Sequence, residues 1–242
     1  MKKTVKPQLA VRLGVASVAA CALTFALTGC APTASTSDNS ISNDSTSNTA
    51  TTNSSTDVSA AKTTMHNASV GGSGGLQIGK SVPDLRFVDA QNIEYSMSDF
   101  RGVTAWVFVD VTCPCVKAYT SRLQALQKSF APRKVRFVYV FSQPRETVAQ
   151  ALQFAKAQGY NGVVVRDTSQ SLLRVFDAPS TTQTYVTDRN GVLRYKGRID
   201  DSTYAPQSVK SRDLQSALNA VIDNRRVAKA ETQAMACAIS RL

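Results

Sequence analysis

Histidine is almost missing from this chain of 242 residues. The only one, His66, stands among Ser, Thr and Asn residues, well before the apolar runs of the folded part. Hydrolases that work by acyl transfer pair a serine or cysteine with a basic group, most often histidine. We therefore expect no Ser-His or Cys-His catalysis. Basic runs interleaved with aromatic residues are also lacking, so no nucleic-acid partner is expected. No cofactor and no resident metal are predicted.

Long hydrophobic runs are scarce as well. The exception is the apolar stretch at residues 13–27, which follows four basic residues. Its last residue, Leu27, begins the tetrapeptide LTGC, which ends at Cys30. About 15 apolar residues are too few for a membrane span and fit the apolar core of a secretory signal. The tetrapeptide resembles a bacterial lipobox, which implies a signal peptide of residues 1–29 and lipid on Cys30. Ala31 then implies the outer membrane, facing the periplasm, if the cell is Gram-negative.

Large apolar side chains are also rare from residue 30 to residue 75, where Ser, Thr, Asn, Ala and Gly predominate. Such a segment cannot bury enough surface to offset its ordering entropy, so it is predicted to be a disordered tether with a reach of about 35–40 Å. The net charge is +11, and loss of the basic signal residues would leave about +7. A moderate positive charge suits anionic lipid headgroups or a soluble surface.

One folded domain is predicted for residues 76–242. Its apolar runs and turn signals indicate strands and helices in alternation, followed by a hairpin and a last helix. The pattern predicts an α/β sandwich with a central mixed sheet. The predicted elements are a hairpin at 85–95, a one-turn element at 98–102, strands at 103–111, 135–141 and 163–165, helices at 116–130, 147–158 and 170–176, a hairpin at 184–199, and a helix at 209–221.

The sequence Cys113-Pro114-Cys115 stands where the first long strand is predicted to meet a helix. Backbone N–H groups at a helix N-terminus stabilise a thiolate, which is the form that attacks disulfides and peroxides. Cys237 is the only other cysteine after Cys30. These residues predict a thiol redox protein of an exported compartment, where disulfides can persist.

Several motifs resemble redoxin-domain proteins of the alkyl hydroperoxide reductase/thiol-specific antioxidant superfamily, which have a thioredoxin-like fold. They follow one another in that family's order, over residues 78–84 (IGKSVPD), 112–114 (TCP), 186–191 (VTDRNG) and 195–201 (YKGRIDD), and the tail 236–239 (ACAI) is similar to the ending of one branch. The resemblance implies a three-layer thioredoxin-like sandwich. It also implies that Cys113 is the nucleophile and that Cys115 or Cys237 resolves it.

The chain departs from the family patterns at two places. A single residue separates the thiols, where thioredoxins have two, and Thr182 stands at the position of the usual cis-proline. Thr112 lies three residues before Cys115, as in the peroxiredoxin motif, but Phe108 replaces that motif's proline.

Besides the three cysteines, Thr112 is a candidate catalytic residue, and Asp110, Lys117, Arg122 and Thr182 are candidates for supporting roles. Lys117 or Arg122 would favour a thiolate electrostatically. Asp110 would relay a proton if buried beneath the thiols, or would be a hydrogen-bonded carboxylate at a strand end. Thr112 would orient a thiolate or peroxide, or would cap the helix.

Three functions stay open at this point. The first is a membrane-tethered thiol–disulfide oxidoreductase that acts on exported proteins and needs a redox partner. The second is a thiol peroxidase, whose substrate is peroxide. The third is a non-enzymatic Cu(I)-binding lipoprotein, since thiolates suit soft Cu(I). A bridge over the short Cys113-Cys115 spacing is expected to be strained and easily reduced. The structural alternative is a permanent Cys113–Cys237 disulfide with Cys115 as a buried thiol.

Overall fold

The computed structural model describes residues 74–242. The predicted signal peptide, the lipidation site Cys30, His66 and nearly all of the predicted tether lie outside the described residues. Within the described part, none of the helices is both long enough and apolar enough to cross a membrane.

Over residues 74–242, seven strands and four α-helices follow one another in the order that the sequence predicts. Three short 3-10 helices, at Met97–Phe100, Ala131–Arg133 and Pro206–Ser208, connect them. The strands are β1 Arg86–Val88, β2 Glu94–Ser96, β3 Thr104–Val109, β4 Arg136–Phe141, β5 Val163–Arg166, β6 Thr184–Thr187 and β7 Leu193–Gly197, and the helices are α1 Pro114–Phe130, α2 Val148–Ala157, α3 Ser171–Phe176 and α4 Asp213–Ile222.

The central sheet has five strands in the order β5-β4-β3-β6-β7. Strands β3, β4 and β5 are parallel, while β6 is antiparallel to both β3 and β7. Strand β3 is the middle strand, and all six of its residues are buried. A strand covered on both faces reads as a continuous apolar run, and this is why the run at 103–111 predicts it.

Side chains of β3 alternate between two cores, one on each face of the sheet. Val107 packs with residues of α1, α2 and α4, whereas Trp106 and Phe108 pack with α3 and with the β1-β2 hairpin. Helices on both faces make three layers, which confirms the predicted sandwich with a mixed sheet.

The start of α4 differs from the prediction. We expected the helix to begin at Val209, but it begins at Asp213. The backbone N–H groups of Lys210 and Ser211 donate to the carboxylate of Asp201, at 3.0 and 3.1 Å. These N–H groups are therefore held in a loop, and Asp213 supplies the acidic side chain that suits a helix N-terminus.

The last residues return to the sheet instead of leaving it. Near residue 231 the chain pairs with β7 through two backbone hydrogen bonds to Lys196, at 2.9 and 3.0 Å. Farther on, Thr181 N donates to Cys237 O at 2.8 Å, and Ile239 N donates to Pro179 O at 3.2 Å. We call residues 230–242 the tail segment. It lies along the chain that leads into β6.

Candidate thiol redox site

Cys113 and Cys115 lie at the junction between β3 and α1, as the sequence predicts. Cys113 is the N-cap residue, with extended backbone (φ −69°, ψ 120°), and α1 begins at Pro114. Proline is well suited to the first helical position because an N–H there would have no partner within the helix. The Cys113 side chain therefore lies at the positive end of a helix of 17 residues.

The fold brings Cys237 to the same place. The sulfur atoms of Cys113, Cys115 and Cys237 all lie within 4.8 Å of one another. All three are free thiols. Cys113 is 2% exposed and Cys115 is 7% exposed, whereas Cys237 is partly exposed. Three thiols from two distant parts of the chain thus form one cluster, and Cys237 is its outer member.

The surroundings of Cys113 favour its thiolate. Burial raises the pKa of the Cys113 thiol, but hydrogen bonds from the Cys237 thiol, the Thr181 hydroxyl and backbone N–H groups lower it more, so that the net shift is downward from 9.0. The Thr181 Oγ1 atom lies 3.1 Å from the Cys113 sulfur. Donors to the charged form lower the pKa of a thiol, and a lower pKa gives more of the nucleophile at neutral pH.

The other two thiols are held differently. Burial, the hydrogen bond to Cys113 and the neighbouring charges raise the pKa of Cys237 to about 12. The Cys115 sulfur lies 3.1 Å from the hydroxyl of Tyr204. This contact is the main cause that raises the pKa of Tyr204 to about 12. Cys113 is therefore the thiol of the cluster whose acidity is increased, while Cys237 acts as a donor to it.

The residue that contacts Cys113 from the sheet is Thr181 rather than the predicted Thr182. Thr182 has φ +57°, a left-handed conformation that is uncommon for a β-branched residue. Its N–H donates to Phe108 O at 2.7 Å, and Phe108 N donates in turn to Gln183 O at 3.0 Å. These bonds hold the turn, so that the hydroxyl of the preceding residue lies against the sulfur. None of the described peptide bonds is cis.

Asp110 and Thr112 are joined by hydrogen bonds in the loop before Cys113. Asp110 is buried, and its carboxylate accepts hydrogen bonds from Thr112 N at 2.6 Å and from Thr112 Oγ1 at 2.7 Å. The Thr112 hydroxyl therefore stabilises its own loop, and the helix cap is Cys113. The Asp110 charge is one of the causes that raise the pKa of Cys237.

A second carboxyl group, Glu146, holds the same loop and was missed by the sequence analysis. Its Oε1 atom accepts a hydrogen bond from Val111 N at 2.8 Å, whereas the buried Oε2 atom has no hydrogen-bond partner. Burial raises the pKa of Glu146 to about 7, with the Asp110 charge as a further cause. The loop before Cys113 therefore rests on one carboxyl group that changes its protonation near neutral pH.

Neither predicted cation contributes to the leading causes of the Cys113 shift. The guanidinium of Arg122 is paired with Asp200 at 2.7 Å and stacks over Tyr119, with 4.0 Å from its central carbon to the ring centroid. It also donates to the carbonyl groups of Ser202 and Thr203. Arg122 thus fixes the loop that carries Tyr204.

Lys117 is exposed and contacts Cys113 through its backbone, since Lys117 N donates to Cys113 O at 3.3 Å. The hydrogen bonds that lower the pKa of the Cys113 thiol come from neutral groups, and neither predicted cation is among them.

Two other residues of the site, Thr181 and Tyr204, escaped the sequence analysis. The family pattern points to Thr182, one position after Thr181. It therefore predicts where the turn lies, but not which residue contacts Cys113. Tyr204 lies 89 residues from Cys115 and carries no motif of its own. Its position depends on the tertiary contacts of Arg122, which no local signal reveals.

Comparisons with known proteins identify the family and the fold. The redoxin family model matches residues 77–234. The chain belongs to the redoxin family. This confirms the resemblance seen in the motifs, and it supports a thiol oxidoreductase in general terms. No protein with a curated description matches the chain.

Solved structures show the fold. A hypothetical protein from Sinorhizobium meliloti 1021 is 24% identical, with a TM-score of 0.62 over 69% of this chain and 95% of that one. An uncharacterized conserved protein from Geobacillus kaustophilus gives the same identity and TM-score over 69% and 93%. A protein assigned as thiol:disulfide interchange protein DsbE from Chlorobium tepidum is 16% identical, with a TM-score of 0.51 over 61% and 99%. The redoxin chain thus has a thioredoxin-like fold.

Proposed function

We propose that this redoxin is an extracytoplasmic thiol–disulfide oxidoreductase in which the Cys113 thiolate is the nucleophile. The observation that carries the proposal is the environment of the Cys113 sulfur. It is contacted by the Thr181 hydroxyl at 3.1 Å, lies at the start of α1 and has two other thiols within 4.8 Å. A stabilised thiolate with a second thiol in reach is the arrangement that disulfide exchange requires.

The reaction proceeds in two exchange steps. The Cys113 thiolate attacks one sulfur of a substrate disulfide, and the other substrate sulfur leaves as a thiolate. A second thiol of the cluster then attacks the Cys113 sulfur of the mixed disulfide, and its proton passes to the departing substrate thiolate. Two electrons reach the substrate, and the cluster is left with one disulfide. A thiol-bearing redox partner must reduce that disulfide, and the reverse sequence would oxidise a substrate.

The contacts favour Cys237 over Cys115 as the resolving thiol. The Cys237 sulfur lies within 4.8 Å of the Cys113 sulfur, and the interaction between the two side chains is one of the causes that lower the pKa of the Cys113 thiol. The Cys115 sulfur is engaged by Tyr204 at 3.1 Å. Cys115 also lies within the first turn of α1, where a bridge to Cys113 would have to form over a spacing of two residues.

A thiol-exchange assay with a fluorescent glutathione disulfide tests the proposal. Cys113→Ser should abolish exchange, since the nucleophile is lost, and Cys237→Ser should slow complete turnover while leaving formation of the mixed disulfide with Cys113. Lys117→Gln is the matched control on the exposed side of α1, and it should retain exchange. Undiminished exchange by Cys113→Ser would contradict the proposal.

A thiol peroxidase receives less support from the contacts. The Thr112 hydroxyl, which a peroxidase would need beside its cysteine, donates to Asp110 instead. Phe108 is fully buried in the core at the position of the peroxiredoxin proline. Cys113 would be the residue oxidised by peroxide, and Cys115 or Cys237 would resolve the product.

A Cu(I) site is a second candidate function, because the cluster supplies a third thiol that the motif alone does not. Three sulfur atoms within 4.8 Å of one another match the preference of Cu(I) for soft thiolate ligands. Titration with Cu(I) against a chromophoric competitor, followed by mass spectrometry, tests this. A copper-binding function predicts one tightly held ion that is lost in Cys237→Ser, and an unmetallated protein would overturn it.

We further propose that the domain is held at the membrane by lipid on Cys30 and works outside the cytoplasm, at the outer membrane facing the periplasm if the cell is Gram-negative. The motif at residues 27–30 supports this placement. The substrates would then be exported proteins with disulfides, a class that this compartment supplies.

A further inference from the structure

We propose that, in the oxidised form, a thiol-bearing partner attacks Cys237 on the tail segment and not Cys113 in the motif. This inference rests on the proposed function. It assigns the exchange point with the redox partner to a residue 124 positions after the nucleophile.

Access to the two sulfur atoms is the first reason. Cys113 is 2% exposed, below the tail, whereas Cys237 is partly exposed and follows Met235, which is 84% exposed. An attacking thiolate must approach the sulfur along the line of the S–S bond. The outer sulfur of a Cys113–Cys237 bridge therefore meets the incoming group first.

The fixed path of the tail is the second reason. The carbonyl oxygen of Cys237 accepts a hydrogen bond from Thr181 N. Ile239 is buried in the core that contains Trp106 and Phe108 of β3, and its N–H donates to Pro179 O at 3.2 Å. The Gln143 side chain also donates to Ala238 O at 2.9 Å. A Cys113–Cys237 disulfide adds a covalent link to these hydrogen bonds and keeps the tail over Cys113 in the oxidised form. In the reduced form the hydrogen bonds alone hold the tail, so the separation that attack by Cys113 on a substrate requires breaks no covalent bond.

The identity of the leaving group is the third reason. Thiol exchange is faster when the departing thiol has the lower pKa. Attack at Cys237 releases Cys113, whose pKa is lowered from 9.0, whereas attack at Cys113 would release Cys237, whose pKa is raised to about 12. The Thr181 hydroxyl remains available to the released Cys113 thiolate after Cys237 has left it.

The chemical balance of the step is simple. The partner thiolate forms an S–S bond with Cys237, the Cys113–Cys237 bond breaks, and its electron pair stays on Cys113 as a thiolate. A second partner thiolate then attacks the partner sulfur of the mixed disulfide. Cys237 leaves and is protonated, the partner is oxidised to a disulfide, and the site regains two thiols.

Mapping of the mixed disulfide tests the inference. The full chain, carrying Cys21→Ser and Cys30→Ser and held in mild detergent, is oxidised and its bridge is mapped. Reduced glutathione is then added together with excess iodoacetamide, so that each released thiolate is captured before it reacts back. Peptide mass spectrometry finds which cysteine carries glutathione. We expect glutathione on Cys237 and the alkyl group on Cys113, by a margin of about ten-fold or more.

A second variant keeps the test decisive. Cys115→Ser removes the third thiol, so that the Cys113–Cys237 bridge is the only one that can form, and it should give the same distribution. Glutathione chiefly on Cys113, or a Cys113–Cys115 bridge in the oxidised parent, would overturn the inference and leave the proposed oxidoreductase intact. Failure to form any bridge among the three thiols would overturn both.

Discussion

At the scale of single residues, hydrogen bonds from neutral groups, and not an ion pair, lower the pKa of the Cys113 thiol. Thr181 and Cys237 donate to its sulfur, while Arg122 is committed to Asp200. A hydrogen bond to a charged acceptor contributes about 1.5–3 kcal/mol. One such donor is enough to shift the pKa of a thiol by about one unit or more.

The Thr181 contact gives the first prediction. Thr181→Val keeps the shape of the side chain but removes the hydroxyl, so the pKa of Cys113 should rise. The rate of alkylation by iodoacetamide, followed between pH 5 and 10, measures this. Thr182→Val is the matched control, because its side chain is similar and equally buried but the Cys113 contact belongs to Thr181. An equal shift in both variants would count against a specific donor.

Glu146 gives a prediction about pH and stability. Its pKa is raised to about 7 in the fold, from 4.5. Between these values the folded state binds more protons than the unfolded state, so the free energy of unfolding should fall as the pH rises from about 4.5 to about 7. Glu146→Gln keeps an oxygen for Val111 N and cannot ionise. It should remove this fall, which amounts to about 1–3 kcal/mol.

Urea unfolding at pH 5 and at pH 7.5 measures the difference. Glu94→Gln, in the exposed pair with Arg86, is the control and should follow the parent protein. If Glu146→Gln shows the same pH dependence as the parent, then burial of this carboxyl group does not set its pKa.

At the scale of elements, the tail segment determines the geometry of the site. It packs against β7 at Gly197, where an added Cβ atom would lie 2.0 Å from the Thr232 hydroxyl and 2.7 Å from the Tyr195 hydroxyl. The backbone of β7 and the tail segment therefore come close together at Gly197, with no room for a side chain. The position of Cys237, five residues after Thr232, depends on it.

Gly197→Ala should accordingly loosen the tail. We expect a loss of about 1–3 kcal/mol in the free energy of unfolding, since overpacking forces the neighbours to move. We also expect faster alkylation of Cys113, because the tail covers it. Thermal unfolding and timed alkylation with mass spectrometry measure both effects. Gly74→Ala is the control, as an added Cβ there meets nothing nearer than 3.8 Å. Unchanged alkylation of Cys113 would show that the tail does not protect it.

The elements themselves could be predicted from the sequence, and the contacts of the site could only partly be predicted. The apolar run of β3 and the proline after Cys113 fix the strand-helix junction locally. The approach of Cys237, by contrast, depends on hydrogen bonds across the fold to the turn at Thr181. Glu146 and Tyr204 belong to loops without periodic patterns, and tertiary contacts alone bring them to the thiols.

For the whole molecule, we propose a lipid anchor at Cys30, which precedes the redoxin domain in the sequence. The lipidation motif gives a prediction of its own. Cys30→Ser should move the protein from the membrane fraction toward the soluble extracytoplasmic fraction and abolish labelling by a clickable fatty acid, because a cysteine is needed for the lipid. The matched variant Cys21→Ser should keep both the label and the membrane location. Lipid labelling that persists in Cys30→Ser would contradict the predicted anchor.

We propose that two of the three clustered thiols, Cys113 and Cys237, form an exchange-active disulfide and not a permanent structural one. Disulfide mapping of the full chain through a series of glutathione redox buffers, with alkylation and mass spectrometry at each potential, tests this proposal. We expect a Cys113–Cys237 bridge that opens near or above about −200 mV, within the range of exchange-active disulfides. A bridge that stays closed below about −300 mV would be structural, and the proposed exchange activity would then be wrong.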